Sequence, residues 1–288
     1  MPLRPQSVAI WRQRVTMSDS VGVDLAGFIV DRGLSNRAFD TVPSLVGATT
    51  APVGGGVTRF VAAVLVLAAC LGATWYALVS ARQAPLDTLV WRYVALSAAV
   101  GSVFAGLLII ETVTTTVGTL VQAFRLLAQL FFAVFLALSL RELYYAQPAT
   151  SSDDDRLSLS TARRIETGFM VLALVQFPIV VWVGPTAVAQ VILALAAGAF
   201  TVYGVSFGQA IRARRVTRGT VLDATVTYVI AVLLCVGAVS VMEGAVLTPI
   251  PRPAIVGAVN VLLAMTGSFL ISLVIRLKRS VDAGGRTS

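Results

Sequence analysis

The sequence contains no histidine, two cysteines and a single lysine in 288 residues. Without histidine, the chain has no imidazole ligand for haem or zinc and no histidine general base. Lys278 lies at the end of the last apolar segment, which excludes a Schiff-base lysine buried in the protein. Cys70 and Cys235 each lie within an apolar run, where a free thiol acts as a small apolar side chain. We therefore expect no cofactor and no bound metal.

Motifs of common enzyme classes are also missing. The chain has no H-E-x-x-H sequence and no glycine-rich phosphate loop. Its apolar segments contain neither paired aspartates nor a serine beside a basic partner, as an intramembrane hydrolase would need. The connections between the segments are too short for a catalytic domain. We expect that the protein is not an enzyme.

Charge is scarce, and apolar residues dominate. Hydrophobic residues make up 57% of the chain and charged residues 12%, whereas about a quarter of the residues in a soluble domain are charged. Apolar runs of about 18 residues or more predict transmembrane helices. Seven such runs are present, at roughly 60–80, 90–112, 117–140, 168–185, 187–208, 223–247 and 254–277. We predict an all-α, multi-pass protein of the cell membrane, with a bundle of seven transmembrane helices.

The net charge of +8 reflects membrane topology and does not indicate nucleic-acid binding. Nearly all basic residues of the membrane domain flank the first, third and fifth connections or the C-terminal tail. They are Arg82, Arg92, Arg141, Arg156, Arg163, Arg164, Arg212, Arg214, Arg215, Arg218, Arg276, Lys278, Arg279 and Arg286. The remaining connections contain only Arg252. By the positive-inside rule, the C-terminus is cytoplasmic and the N-terminus lies outside. The basic run 212–218 fits a topology determinant, with docking of a cytoplasmic partner as the alternative.

The segments outside the apolar runs divide the chain into three parts. Residues 1–56 are predicted to be a flexible polar tail that ends in a glycine-rich linker. Residues 57–279 form the transmembrane domain, and residues 280–288 form a short cytoplasmic tail. The first 16 residues hold three arginines, which fit poorly on an outside tail. Met17 is therefore an alternative start.

Two pairs of segments resemble each other and suggest an internal repeat. VAAVLVLAACLGATWY (61–76) aligns with VAQVILALAAGAFTVY (188–203), and LDTLVWRYV (86–94) aligns with LDATVTYV (222–229). A shift of four spans preserves orientation, so spans 1–3 and 5–7 would be parallel copies joined by span 4. This 3+1+3 arrangement is found in some transporters.

Arg125 is the most unusual residue of the predicted spans, because it lies about 12 Å inside the third span at 1.5 Å per residue. Gln122 and Gln129 share its helix face by their i, i+3, i+7 spacing. Other polar residues at the outer half or the middle of the spans complete the candidate ligand site: Glu111, Glu243, Asn260, Gln190 and Gln176. The inner half contains mainly hydroxyl groups.

A buried arginine is costly in a membrane and requires a partner. One interpretation is a fixed ion pair, with Glu111 favoured over Glu243 because spans 2 and 3 are consecutive. The other is an outward-facing pocket in which Arg125 binds an anionic or carboxylate ligand and the glutamines orient that ligand.

Three functions fit this sequence. The first is a receptor-like or sensory seven-helix module with an outer pocket around Arg125, which would act through a cytoplasmic or membrane signalling partner. The second is a small-solute transporter built from parallel three-helix repeats. The third is a membrane scaffold or assembly subunit. Of these, the pattern favours the receptor-like module. The lipid bilayer is a partner in every case.

Overall fold

The computed structural model describes residues 53–83, 88–114, 118–146, 159–183, 186–213, 221–245 and 248–284. These ranges contain seven α-helices and no strand, which confirms the all-helical prediction. The helices are α1 (Val53–Gln83), α2 (Thr88–Val113), α3 (Thr119–Ala146), α4 (Leu159–Val183), α5 (Ala187–Ala213), α6 (Val221–Gly244) and α7 (Arg252–Gly284). Residues 53–56 and 280–284, which the sequence assigns to the two tails, belong to α1 and α7. Residues 1–52 and 285–288 lie outside the described residues, so the rest of both predicted tails and the choice of start remain predictions.

Six of these helices are long and apolar enough to cross a membrane, with a mean hydropathy of 1.9 to 2.3 over their most apolar windows. The chain is therefore a multi-pass membrane protein. The helix α4 is not among the six. It lies where the fourth span is predicted, but it contains Pro178, and several of its side chains are outside the described part of the chain. The prediction of seven spans thus stays a prediction.

The ends of several helices follow from local sequence. Thr186 precedes α5, and its Oγ1 accepts a hydrogen bond of 3.2 Å from the backbone N–H of Ala189, which is an N-cap. Pro251 and Pro253 flank the first residue of α7. Their missing backbone N–H groups cost no helical hydrogen bond there, because the first N–H groups of a helix have no partner within it. The helix α2 ends at Val113, beyond which Thr114 still donates its backbone N–H to the carbonyl of Ile110.

Six helices pack in a ring. Each helix contacts the next in the order α1, α2, α3, α5, α6 and α7, and α7 closes the ring against α1. In addition, α3 reaches across to α6, whereas α4 lies outside the ring with few contacts to α3 and α5. The most apolar window of α3 is 78% buried, compared with 39% to 61% in the other candidate spans. The helix with Arg125 is therefore the most buried of the six.

Small residues let the ring helices approach closely. A Cβ atom at Gly204 of α5 would lie 2.5 Å from Leu233 of α6 and 2.9 Å from the backbone of Ala137 in α3. One at Gly237 of α6 would lie 2.0 Å from the Thr201 hydroxyl oxygen of α5. Glycine is thus required at these contacts, as is common where membrane helices pack by close backbone approach.

Large apolar side chains cover the outside of the bundle. Val202 on α5 and Trp75 on α1 are 72% and 67% exposed, and Trp182 on α4 is 91% exposed. A soluble monomer rarely shows extended apolar surfaces of this kind. In a bilayer these side chains face lipid, so the outer surface agrees with the length and composition of the helices.

Candidate functional site

Arg125 lies between two glutamates from different helices. Its Nη1 donates a hydrogen bond of 2.8 Å to Oε1 of Glu243, near the end of α6. Its Nε lies 2.8 Å from Oε2 of Glu111, in the last turn of α2. The arginine side chain is only 10% exposed and each glutamate side chain 18%. The guanidinium is therefore ion-paired, and the pairing involves both glutamates.

The two contacts differ in direction. The bond to Glu243 is aligned, whereas Nε of Arg125 and Oε2 of Glu111 have no aligned hydrogen bond within the described ranges despite their short separation. A well-aligned, charge-assisted bond is stronger than a close contact of poor direction. Glu243 is thus the stronger partner, although Glu111 belongs to the helix that precedes α3 in sequence.

A second arginine balances the charge. Nη2 of Arg59, at the start of α1, lies 3.6 Å from Oε2 of Glu111. Two arginines face two glutamates, so the net charge of this outer cluster is zero. We use the name outer cluster for Arg59, Glu111, Arg125 and Glu243. It joins α1, α2, α3 and α6 at one end of the bundle, which is the outer end if the predicted topology holds.

Neutral polar groups extend this outer cluster inward. Nη1 of Arg125 also donates to Oε1 of Gln129 at 3.3 Å, one helical turn further along α3. Nε2 of Gln129 donates to Oγ of Ser240 on α6 at 2.9 Å, and the Ser240 hydroxyl donates to the carbonyl of Val236 at 3.1 Å. The amide of Gln129 therefore fixes the arginine relative to α6.

A small cavity borders the outer cluster between α3, α5 and α6. Its volume is about 20 Å³, enough for about one water molecule. Four polar residues line it: Gln129, Gln190, Ser240 and Glu243. Apolar residues form the remaining wall: Leu126, Leu130, Leu193, Ala194 and Ala197. Gln190, from α5, is thus brought beside Glu243 and Gln129.

The other predicted site residues lie away from this cavity or outside the described side chains. Gln122 is partly buried on α3, and in the described structure its side chain makes no hydrogen bond to the outer cluster. Asn260 is buried on α7 but does not line the cavity. The side chain of Gln176 lies outside the described part of α4. The predicted set is therefore only partly assembled, around Arg125, Gln129, Gln190 and the two glutamates.

A second charged cluster, at the opposite end of α3, was not predicted from the sequence. Arg141, counted above among the topology charges, is 3% exposed. Its Nη1 contacts Glu166 of α4, and its Nη2 contacts Glu142. The Tyr203 hydroxyl of α5 donates to Glu166 at 3.0 Å. We call Arg141, Glu142, Glu166 and Tyr203 the inner cluster. The inner cluster thus adds charged groups to the hydroxyl groups expected in the inner half.

Two features explain why the inner cluster was not predicted from the sequence. The helix α3 continues to Ala146, beyond the predicted end of its span, so Arg141 lies within the packed helix. Aromatic rings also cover this region, since the rings of Tyr203 and Tyr144 lie 4.9 and 5.3 Å from that of Phe207. The sequence signal that could have indicated the inner cluster is an Arg-Glu pair at the end of a predicted span, followed by a further glutamate after the next connection.

Residues 204–208 read G-V-S-F-G, which matches the G-x-S-x-G pattern of nucleophilic serines. That pattern functions at a sharp turn between a strand and a helix, where the serine is held in strained geometry. Here the residues lie inside α5. The Ser206 hydroxyl donates to the Tyr203 carbonyl at 2.7 Å, and Gly204 and Gly208 are close-packing positions against α6. The motif in this chain therefore marks helix packing.

Taken together, the helices and the two clusters define the chain as a multi-pass helical membrane protein with charged groups buried at both ends of α3. In comparisons with known proteins, no family model, no curated protein and no solved structure matches the chain.

Proposed function

We propose that the protein is a small-solute carrier of the cell membrane, built from two parallel three-helix repeats and joined by α4. In this proposal it has seven spans, with the N-terminus outside and the C-terminus in the cytoplasm. The observation that carries the proposal is the order of neighbours in the ring.

The pattern of contacts around the ring stays the same when α1, α2 and α3 are exchanged with α5, α6 and α7. The contact between α1 and α2 corresponds to that between α5 and α6, and the contact of α2 with α3 corresponds to that of α6 with α7. The two junctions, α3 with α5 and α7 with α1, also correspond. A ring of this order is compatible with a two-fold relation between parallel repeats, although the contact of α3 with α6 has no comparable counterpart between α7 and α2. In carriers of this design the solute path lies between the repeats.

The glutamates of the outer cluster follow the same relation. Glu111 is in the last turn of α2, and Glu243 is in the last turn of α6, so they occupy corresponding places in the two repeats. Both approach Arg125 of α3. A bond network that spans the two repeats at one end, with the inner cluster at the other, is suited to hold either end closed in turn.

A receptor-like module with an outward-facing polar pocket around Arg125 is the second candidate. The observation in its favour is that the cavity lined by Gln129, Gln190, Ser240 and Glu243 lies at the end of the bundle assigned to the outside. The observation against the receptor-like module is that the Arg125 guanidinium is already ion-paired with two carboxylates. A scaffold subunit, the third candidate, would need the clusters only to hold the helices together.

Distances between spin labels distinguish these functions. After Cys70 and Cys235 are replaced by alanine, one label pair is placed at Thr114→Cys and Thr248→Cys, and a second pair at Arg92→Cys and Lys278→Cys. All four native side chains are exposed at helix ends or just beyond them. The first pair reports on the end with the outer cluster, and the second on the opposite end.

For a carrier we expect two populations of distances at the outer pair. Glu243→Gln should enrich the longer one, because it weakens the bond that links the repeats, and the inner pair should shift in the opposite sense. Arg252→Gln, at an exposed arginine of α7, is the control and should leave both pairs unchanged. One unchanging distance at each end contradicts the carrier and supports the scaffold, and outer changes without inner changes support the receptor-like module.

Membrane orientation is tested with the same cysteine positions. A thiol reagent that does not cross the membrane should modify Thr248→Cys from outside intact cells and should modify Lys278→Cys only after lysis. The reverse result would overturn the proposed topology.

A further inference from the structure

We infer that α4 is a movable helix that bridges the interface between α3 and α5, and that the half of α4 before Pro178 has two positions. In one position Glu166 binds this half to the ring, and in the other the half is released from the ring. This two-state helix does not require the proposed carrier, and it is compatible with each of the three candidate functions.

The Glu166 carboxylate connects α4 to two ring helices at once. Its Oε2 accepts a hydrogen bond from Nη1 of Arg141 on α3, and its Oε1 accepts one of 3.0 Å from the Tyr203 hydroxyl on α5. An ionised carboxylate has two acceptor oxygens and no donor, so it can bind two donors from different helices. A helix outside the ring thus bridges the inner end of the interface between α3 and α5.

Both charges of this contact have a second partner on their own helix. Nη2 of Arg141 contacts Glu142, the next residue of α3. Exposed Arg163 precedes Glu166 by three positions in α4, and side chains at this spacing are neighbours on a helix surface. When Glu166 leaves, Arg141 keeps Glu142, and Glu166 can pair with Arg163. Release therefore avoids the large cost of a buried charge without a partner. Arg125 differs in this respect, because both of its glutamates belong to other helices.

The end of α4 is held at the same interface by apolar contacts. Val180 belongs to a buried cluster with Ala123 of α3 and Ala189 of α5. The ring of Phe177 meets that of Phe124 edge-on, with 4.9 Å between the ring centroids. We call these contacts of Phe177 and Val180 the apolar anchor. They involve no charge, so they remain when Glu166 is released.

Between Glu166 and the apolar anchor, the described part of α4 is held only weakly. The side chains of Val171, Leu174 and Val175 are 53% to 60% exposed, and a Cβ atom added at Gly168 would have no neighbour within 4 Å. Pro178 lies inside the helix and has no N–H to donate to the carbonyl of Leu174. A missing helical hydrogen bond of this kind is a common cause of bending. The half of α4 before Pro178 can therefore turn about the apolar anchor.

The test measures a distance between two spin labels in the full chain in nanodiscs, with Cys70 and Cys235 replaced by alanine. The labels are placed at Thr167→Cys in α4 and Gln209→Cys in α5, where both native side chains are exposed. We expect a major short distance and a minor longer one. Glu166→Gln should raise the ratio of the longer to the shorter distance by about tenfold, as expected for the loss of a charge-assisted hydrogen bond.

A matched pair of exposed arginines tests the released position. Arg163→Gln removes the partner of Glu166 in that position, so it should lower the ratio below that of the wild type. Arg164→Gln is the control, because its spacing from Glu166 places it on another side of the helix, and it should leave the ratio unchanged. Both native side chains are exposed, so these variants should fold even if Glu166→Gln does not.

A second label pair, at Trp182→Cys and Leu195→Cys, reports on the end of α4 with the apolar anchor. Its distance should stay the same in the Glu166→Gln variant. A ratio at the first pair that Glu166→Gln does not change would overturn the inference, as would equal ratios in the Arg163→Gln and Arg164→Gln variants. A shift at both label pairs would also overturn it, because α4 would then leave the ring as a whole.

Discussion

Arg125 and Glu243 are separated by 118 residues in sequence and joined by a hydrogen bond of 2.8 Å between α3 and α6. Together with the bond from Gln129 to Ser240, it crosses the interior of the ring, whereas the contacts between neighbouring helices follow its circumference. These two bonds therefore tie the first three helices to the last three.

Loss of this arginine should be costly. Arg125→Gln leaves Glu111 and Glu243 buried without a full counter-charge, and we expect it to lower the free energy of unfolding by about 3 kcal/mol. The double variant with Glu243→Gln should recover part of the loss, with a coupling above about 1 kcal/mol. Chemical unfolding in detergent micelles measures both values.

The same cycle with Glu111→Gln should give a smaller coupling, because that contact is not aligned as a hydrogen bond. Arg252→Gln is the control, with an expected change below about 0.5 kcal/mol. Equal coupling to the two glutamates would contradict the ranking of the contacts, and no coupling to either would mean that the ion pairs contribute nothing to stability.

Two glycines should differ in how much stability is lost when a methyl group is added to them. Gly204→Ala places a methyl group 2.9 Å from the backbone of Ala137, so α5 must move away from α3. We expect a loss of about 1 to 3 kcal/mol, as for other overpacked cores. Gly106 of α2 has open space around its added Cβ, and Gly106→Ala should cost nothing. Equal thermal stability of the two variants would argue against the observed distance between α3 and α5.

The inner cluster can be tested through one hydroxyl group. Tyr203→Phe keeps the ring against Phe207 but removes the donor to Glu166, and we expect a loss of about 1 kcal/mol. Tyr76→Phe, on α1, is the control, because in the described residues the Tyr76 hydroxyl has no hydrogen bond. In a Glu166→Gln background the effect of Tyr203→Phe should shrink. An equal loss in both backgrounds would show that the hydroxyl acts elsewhere.

The two cysteines should be unreactive in the folded protein. Cys70 is fully buried, with Gly101 and Phe132 beside it, and Cys235 is 6% exposed. Maleimide treatment of the micellar protein should therefore add no mass within minutes, and full unfolding in dodecyl sulfate should allow two additions. Rapid labelling of Cys70 before unfolding would contradict the packing of α1 against α2.

The sequence was sufficient to predict the helices because apolar length is a local property. The predicted span around Glu243 matches α6 closely, whereas the one around Arg125 ends at 140 and α3 continues to Ala146. The energetic cost of a buried arginine correctly indicated a glutamate partner. The favoured contact with Glu111 is present, and Glu243, which the consecutive order of the helices ranked second, forms the aligned hydrogen bond. The packing of α3 on α6 is a long-range contact, and it cannot be inferred from the lengths of the predicted spans.

The inner cluster shows a feature that could not be predicted from the sequence. An arginine near a helix end fits both a topology signal and a buried ion pair, and local sequence does not separate these roles. Arg141 is buried because α4 and α5 bring Glu166 and Tyr203 over it. The predicted repeat, the seven-span count and the ligand site remain predictions, because the order of contacts supports a repeat without establishing it.

The position of Arg125 between an early and a late glutamate also has a consequence for synthesis of the protein. The chain leaves the ribosome from its N-terminus, so α2 and Glu111 are already made when α3 enters the membrane, whereas Glu243 follows 118 residues after Arg125. The contact with Glu111 can neutralise the arginine during this interval, which lowers the cost of inserting α3. We therefore expect Glu111 to matter most for insertion of the nascent chain and Glu243 for stability of the finished protein.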